Sequence, residues 1–166
     1  RAWKLAQSPR VTTVFVAPGN AGTALEDTIT NVDLSVSNLD GLVTFAESQN
    51  IDYTVVGPEA PLVEGIVDRF EAKGLHCFGP RADCARLEGS KAFMKKLCKE
   101  HKIPTANFQV CINKKQILSF LNKNKLPIVV KADGLAAGKG VTICKSKKRV
   151  LDISKEIFKG KFRSSR

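Results

Sequence analysis

The spacing of apolar positions changes along the chain, and each change marks an element. "RAWKLAQS" at the start sets Ala2, Leu5 and Ala6 on one side of a helix. "VTTVFVAPGN" (11–20) is a short β-branched run closed by Pro18, Gly19 and Asn20, a strand followed by a turn. "NVDLSV" (31–36) alternates as a half-buried strand does. "NLDGLVTFAESQN" (38–50) carries Leu39, Leu42, Val43 and Ala46 at helical spacing. "IDYTVVGPEAPL" (51–62) is a strand ending in Gly57, Pro58 and Glu59. "VEGIVDRFEAKG" (63–74) is a helix with Ile66, Val67 and Phe70 inward and Gly74 as its stop. "LHCFGP" (75–80) is a further short strand. Strands and helices in alternation predict a parallel sheet with helices on its faces.

The second half has a different rhythm. Residues 82–102 form one long helix or a helix pair, with Ser90 as an N-cap before Lys91 and with Phe93, Met94 and Leu97 as a core stripe. "IPTANFQVC" (103–111) is marked by proline and then strand-like. "KKQILSFLNKNK" (114–125) is an amphipathic helix that buries Ile117, Leu118 and Leu121. "KRVLDISKEIFKGKF" (148–162) is another, on Val150, Ile153 and Ile157. Between those two helices lies "PIVVKADGLAAGKGVTIC" (127–144), a strand, a glycine-rich loop and a second strand. This half reads as a small α+β unit around that loop. The chain shows no internal repeat and no low-complexity stretch.

The loop is not a P-loop. That motif needs four residues between its glycines and a hydroxyl after the lysine, between a strand and a helix. Here Gly134 and Gly138 enclose three residues, Lys139 is followed by Gly140, and a strand follows. A flap with three glycines brings backbone N–H groups close to an anion, since no Cβ blocks the approach. Lys131 ends the first strand and Lys139 sits on the flap. A flexible hairpin with surface lysines fits the same residues. In parallel sheets ligands bind at the carboxyl ends of strands, which selects the turns "APGNAGT" (17–23) and "GPEAPL" (57–62). Glu59 there is suited to hold a hydroxyl or an amine. Ordinary strand-to-helix turns would look alike.

Charge adds one asymmetry. Residues 1–90 hold 7 Lys/Arg against 12 Asp/Glu, while residues 91–166 hold 20 against 4, a balance of −5 and +16. The basic half attracts polyanions, whether nucleotide phosphates or nucleic acid, or is simply a solvated lysine-rich surface. With a single Tyr and a single Trp, and no RNP-like or zinc-finger pattern, recognition of nucleic acid by stacking has little support. The five cysteines and two histidines have no metal-ligand spacing, so reduced structural thiols in a cytosolic protein are expected. No apolar run is long enough for a membrane span. The chain opens on Arg1 with no charged-then-apolar leader, so a fragment without a signal peptide is expected.

Taken together, "VAPGNAGT", "VVGPEAPLVEGI", "FGPRADCARLEGSKAFMKK", "IPTA" and "PIVVKADGLAAGKGV", in this order and spacing, resemble the phosphoribosylamine–glycine ligases, ATP-grasp enzymes of purine biosynthesis. The resemblance runs from Arg1 to about Phe158. It implies an α/β fold: a Rossmann-like parallel-sheet domain over residues 1–88 that lacks its first strand, then the first α+β part of an ATP-grasp domain over residues 89–166. It implies ligation of glycine to 5-phosphoribosylamine with ATP, through an acyl phosphate, giving glycinamide ribonucleotide, ADP and phosphate. By the same resemblance Gly57, Pro58 and Glu59, with Asn20, Gly22 and Thr23 nearby, bind the phosphoribosylamine. Lys91 and Lys131 contact ATP, with Lys131 also catalytic. Gly134, Gly138, Lys139 and Gly140 fold over the triphosphate, and Asp133 with the two alanines between the glycines fixes that flap.

The family pattern also opens with a strand and a "GxGGREH" turn absent here, which would leave the "TTVFVA" and "DYTVVG" strands without a shared neighbour. After "IFKGKF" the family continues into the adenine-binding segment and the acidic ligands for Mg²⁺ or Mn²⁺, whereas "RSSR" does not match. No metal ligand is therefore assigned in this chain, and the fragment is expected to be inactive alone. The resemblance further implies a cytoplasmic protein, small-molecule partners, no membrane or nucleic-acid partner, and in some parents a fusion to later purine-pathway domains. A non-catalytic nucleotide- or polyanion-binding protein, or another ATP-grasp carboxylate–amine ligase, is the alternative.

Overall fold

Short β-branched runs and amphipathic stretches give the elements of the computed structural model, which describes residues 1–136 and 138–161. Ala137, the second alanine of the flap, and the terminal "RSSR" lie outside the described residues. The chain forms two compact units, Arg1–Ala82 and Asp83–Arg166.

In the first unit, α1 (Ala2–Ala6) precedes β1 (Val14–Val16), a 3-10 turn at Thr23–Leu25, and β2 (Ile29–Asn31). Then come α2 (Leu39–Ser48), β3 (Thr54–Val55), α3 (Glu59–Val63), α4 (Ile66–Ala72) and β4 (Cys77–Phe78). β1 pairs with β2 and β3 with β4, both parallel, as two separate two-stranded sheets. The mixed α/β character with parallel pairing is the one read from the sequence. Leu39, Val43 and Ala46 of α2 pack with Ile66, Val67 and Phe70 of α4 as the buried core. Asn38 caps α2 by accepting a hydrogen bond from Gly41 N–H.

Two local readings change here. The expected strand over 31–36 begins earlier, at Ile29, because Val14 takes Ile29 as its register partner. Val32 N–H still reaches Val16 O at 2.9 Å, and the chain then leaves the ladder while burial goes on alternating. The expected helix over 63–74 begins only at Ile66, and a separate short helix, α3, precedes it over Glu59–Val63. Gly65, at φ +85°, has a left-handed backbone that no α-helix continues through.

β1 and β3 line one cleft of about 450 Å³, walled by Leu5, Val14, Val16, Val56, Ile66 and Phe70. Thr54 N–H donates to His76 O and Val56 N–H to Phe78 O, so Thr54 and Val56 spend their backbone groups on the β4 side. In a parallel ladder the residue between them, Val55, points its own groups to the opposite edge. Phe15 stands in the same relation to Val14 and Val16, which bond to Thr28 and Val32.

In the second unit, α5 (Ala82–Gly89) starts at the last residue of the first unit, and α6 (Lys91–Glu100) follows after Ser90. Then come α7 (Lys114–Lys123), β5 (Ile128–Lys131), β6 (Val141–Cys144) and α8 (Lys147–Phe158). Residues 82–102 are therefore a helix pair. β5 and β6 are antiparallel, with Ile128 opposite Cys144 and Lys131 opposite Val141. Ile117 and Leu121 of α7, Cys144 of β6 and Val150 of α8 form the buried core. Three expectations are corrected. Leu118 is exposed, since α7 turns only the Ile117–Leu121 stripe inward. Phe93, Met94 and Leu97 are half-buried rather than core. Residues 103–111 form no strand, since no neighbouring strand pairs with them among the described residues.

Among the described residues no disulfide joins the five cysteines, of which Cys144 is buried and Cys84 exposed. Burial, with Glu71 adding to it, pushes the Cys77 thiol up to about 11. Burial likewise raises Cys111 and Cys144, so these thiols stay protonated and unreactive.

Candidate functional site

The antiparallel pair delivers the glycine-rich loop. Lys131 is the last residue of β5, and Ala132 N–H donates to Gly140 O at 2.8 Å, which closes the loop at its neck. Gly134 (φ +87°) and Gly138 (φ +76°) take left-handed backbone with open space where a side chain would stand. Gly140 is needed for a different reason. A Cβ there would meet the Ala136 Cβ at 2.6 Å and the Ala132 Cβ at 3.4 Å. Lys139 N–H turns back to Ala136 O at 2.9 Å. The side chains of Lys131 and Lys139 are exposed and make no hydrogen bond or ion pair among the described residues.

Asp133 ties this loop to the start of α6. Ser90 Oγ caps the helix by accepting from Phe93 N–H at 3.1 Å. The same hydroxyl donates to the Asp133 carboxylate, at 3.2 Å to Oδ1 and 3.1 Å to Oδ2. Ala92 N–H donates to Asp133 Oδ1 at 3.1 Å. Lys91 then reaches back, its Nζ donating to Gly134 O at 2.7 Å. Arg86 of α5 lies over the Phe93 ring, 4.3 Å from its centre, and so braces the junction of the two helices.

Burial acts to raise the Asp133 carboxyl, but the hydrogen bonds from Ala92, Ser90, Gly134 and Lys91 outweigh it and hold the group below the usual aspartate range. A carboxylate with a lowered folded value stabilises above its unfolded value, about 3.9, and that contribution is lost as pH falls through the folded value. The Asp133 side-chain carbon, followed by NMR, is expected to titrate below pH about 3.9, with the Ala92 amide shifting at the same midpoint. A midpoint at or above the free-aspartate value would contradict the hydrogen-bond pattern.

The first unit holds the other candidate residues. Asn20 and Thr23 lock each other: Asn20 N–H donates to Thr23 Oγ1 at 2.8 Å, and Thr23 N–H to Asn20 Oδ1 at 3.1 Å. Thr23 Oγ1 lies 2.7 Å from Asn31 Oδ1, and Asn31 Nδ2 donates to Asn20 O at 3.0 Å. Gly22 sits inside this knot. Gly57 and Pro58 line the cleft between β1 and β3, whereas Asn20, Gly22, Thr23 and Glu59 do not. Gly57 O accepts from Arg1 Nη1 at 2.8 Å. Glu59 is the first residue of α3, where its charge suits the positive end of the helix. Asn31 and Arg1 escape a reading of the sequence. Asn31 is a polar residue in a strand, and nothing local to Arg1 points to Gly57, 56 residues on.

Residues 1–88 match the family described as phosphoribosylglycinamide synthetase, N domain, and residues 89–166 match the ATP-grasp (A) domain of the same synthetase. The chain belongs to this family. It is 58% identical over 142 residues to a phosphoribosylamine–glycine ligase of Escherichia coli strain K12, covering 86% of the chain and 33% of that relative. It is 51% identical over 159 residues to the Haemophilus influenzae ligase of the same name, covering 96% and 37%. A crystal structure of phosphoribosylamine–glycine ligase from Thermotoga maritima superposes with a TM-score of 0.70 at 29% identity, over 96% of the chain and 37% of its own. The biotin carboxylase domain of a Hydrogenobacter thermophilus 2-oxoglutarate carboxylase, solved with MgADP, ADP and bicarbonate, gives a TM-score of 0.68 at 19% identity. That likeness covers 82% of the chain and 32% of the neighbour and speaks to the fold alone. The chain spans about a third of the length of the curated relatives it matches.

Among the described residues, no three His, Cys, Asp or Glu side chains come together as a metal ion would need. No helix among the described residues is long and apolar enough to cross a membrane.

Proposed function

We propose that this chain is the part of a phosphoribosylamine–glycine ligase that grips the phosphates of ATP. The observation that carries this is the meeting of Lys91 Nζ with Gly134 O at 2.7 Å, at the neck of a three-glycine loop that Lys131 enters. Gly134 would shape the turn while the backbone N–H groups of Gly138 and Gly140 face the phosphate oxygens, with Lys91, Lys131 and Lys139 as the cations. In the whole protein the glycine carboxylate oxygen takes the γ-phosphoryl group and ADP leaves. The amine of 5-phosphoribosylamine then displaces phosphate from the acyl carbon to give glycinamide ribonucleotide. Lys131 and the loop amides would offset the charge that builds up as the phosphoryl group moves. Gly57, Pro58, Glu59, Asn20, Gly22 and Thr23 belong to this reading as the surface for the phosphoribosylamine. So do the division into residues 1–88 and 89–166, a cytoplasmic location, Mg²⁺ or Mn²⁺ bound by parts of the ligase outside this chain, and fusion to later purine-pathway domains in some parents.

A thermal unfolding scan with and without Mg-ATP tests it. Ligand at 100 times its dissociation constant is expected to stabilise the chain by about 2.7 kcal/mol. Lys131→Ala is expected to weaken Mg-ATP roughly 10- to 100-fold, since it removes a charge-assisted hydrogen bond. No shift with Mg-ATP would reject the reading. An equal response to duplex DNA that falls steeply with salt would favour a general polyanion surface on the basic half instead.

A further inference from the structure

We infer that Asp133 is a positioning residue for the nucleotide site, acting through the start of α6 to place Lys91 at the neck of the glycine-rich loop. This rests on the reading of the loop as a phosphate grip.

The geometry is a closed circuit. The Asp133 carboxylate takes the Ala92 amide and the Ser90 hydroxyl, the residues on either side of Lys91. Lys91 in turn donates to the carbonyl of Gly134, the residue after Asp133. Residues 90–92 are therefore the donors and residues 133 and 134, 41 to 43 residues away, the acceptors, and the same two short segments are tied at more than one point. Ser90 has one hydroxyl proton, and it goes to Asp133, while its lone pairs receive Phe93 N–H. Without Asp133 the Ala92 amide and that hydroxyl lose their acceptor, and the backbone that carries Lys91 loses its tie to the loop.

The circuit also sets what the ligand must displace. Lys91 is held by a neutral carbonyl, and a phosphate oxygen is a stronger partner for an ammonium than a carbonyl is. Phosphate can take Lys91 from Gly134 while Asp133 keeps the Ser90–Ala92 segment in place. Asp133 itself repels phosphate by charge, so its contribution is indirect: it is committed to the Ser90 hydroxyl and the amides of Ala92, Gly134 and Lys91, and leaves the lysine side chain to the ligand.

A double-mutant cycle decides the matter, measured as Mg-ATP affinity on the 166-residue chain with Asp133→Ala, Lys91→Ala and both. Asp133→Ala is expected to weaken Mg-ATP about tenfold beside an intact Lys91. It is expected to cost less than twofold in the Lys91→Ala background, because the two act as one unit. Asp133→Asn, which keeps one carbonyl acceptor for Ala92 N–H, is expected to restore part of the loss. An equal loss in both backgrounds would overturn the inference and leave Asp133 a merely structural residue. If Asp133→Ala does not fold, the Asn variant carries the same cycle. If the unsubstituted chain binds no Mg-ATP, the phosphate reading fails by itself. Amide exchange in the free chain then decides the circuit: Asp133→Ala is expected to speed exchange at Ala92, and Asp133→Asn, which keeps a carbonyl acceptor, to speed it less. Exchange at Ala92 unchanged in Asp133→Ala would overturn the inference.

Discussion

Phe70→Ala is expected to unfold the first unit at 25 °C while the second stays folded. Phe70 is 2% exposed and sits where α4 meets α2, against Leu39, Val43 and Ala46. Truncating a buried Phe to Ala costs about 3–5 kcal/mol, through lost burial and the cavity left behind. An 82-residue unit has about 4–12 kcal/mol in total at the usual stability per residue. The strands of this unit are two or three residues long and pair only in twos, so their ladders add little to the helix core. At the low end of that range, where such short ladders place the unit, the loss consumes all that the unit has. The second unit keeps its own core on Ile117, Leu121, Cys144 and Val150 and is not touched. Amide protection should vanish at Val43 and Val67 and persist at Leu121 and Val150. Leu118→Ala, at an exposed position, is the control and should change stability by less than about 0.5 kcal/mol. Protection at Val43 and Val67 that survives Phe70→Ala would show that the α2–α4 core does not hold the unit.

Helix faces were legible because their signal is internal to each segment. Leu39, Val43 and Ala46, like Ile66, Val67 and Phe70, repeat at the spacing that one side of a helix requires, and all six are buried. The capping residue Ser90 announces itself for the same reason, since the cap acts three residues ahead. Strands were less legible because a strand exists only with a partner. "NVDLSV" and "IPTANFQVC" carry the right residue types, but only Asn31 of them lies in a ladder. The break at Gly65 was also hidden, since an isolated glycine inside an apolar repeat reads as tolerated until its φ is known.

The candidate site divides along the same line. The three glycines and the lysines of the loop are contiguous, so their chemistry is readable in order. The bonds from Ser90 and Ala92 to Asp133 join segments more than 40 residues apart, and no local pattern signals them. Asp133 looked like a residue that merely stiffens its loop; the geometry makes it the acceptor that holds α6 to that loop. Lys91 gains its meaning in the same way, from a carbonyl 43 residues away.

Gly19→Val is expected to destabilise the first unit by about 3 kcal/mol and to leave the Mg-ATP response of the chain intact. Gly19 has φ +79°, and a Cβ there would lie 2.1 Å from Asn31 Oδ1 and 2.2 Å from its Cγ. Left-handed backbone costs an ordinary residue about 1–2 kcal/mol, and a β-branched one is worst placed to bear it. The clash is with a side chain that cannot simply swing away, because Asn31 Nδ2 donates to Asn20 O and Asn31 Oδ1 faces Thr23 Oγ1. Expelling it breaks both contacts, at about 1 kcal/mol for each hydrogen bond. The turn that carries Asn20, Gly22 and Thr23 then loses its shape, while the loop of Gly134, Gly138 and Gly140 lies in the other unit with its own core. Gly19→Ala should cost less, since it removes the branched Cβ but not the strain or the clash. Thermal unfolding of both variants, with and without Mg-ATP, separates the effects. A Gly19→Val chain as stable as the parent would mean that the Asn20–Thr23–Asn31 knot does not hold this turn. A lost Mg-ATP response in a chain whose second unit is still folded would mean that the nucleotide loop depends on the first unit.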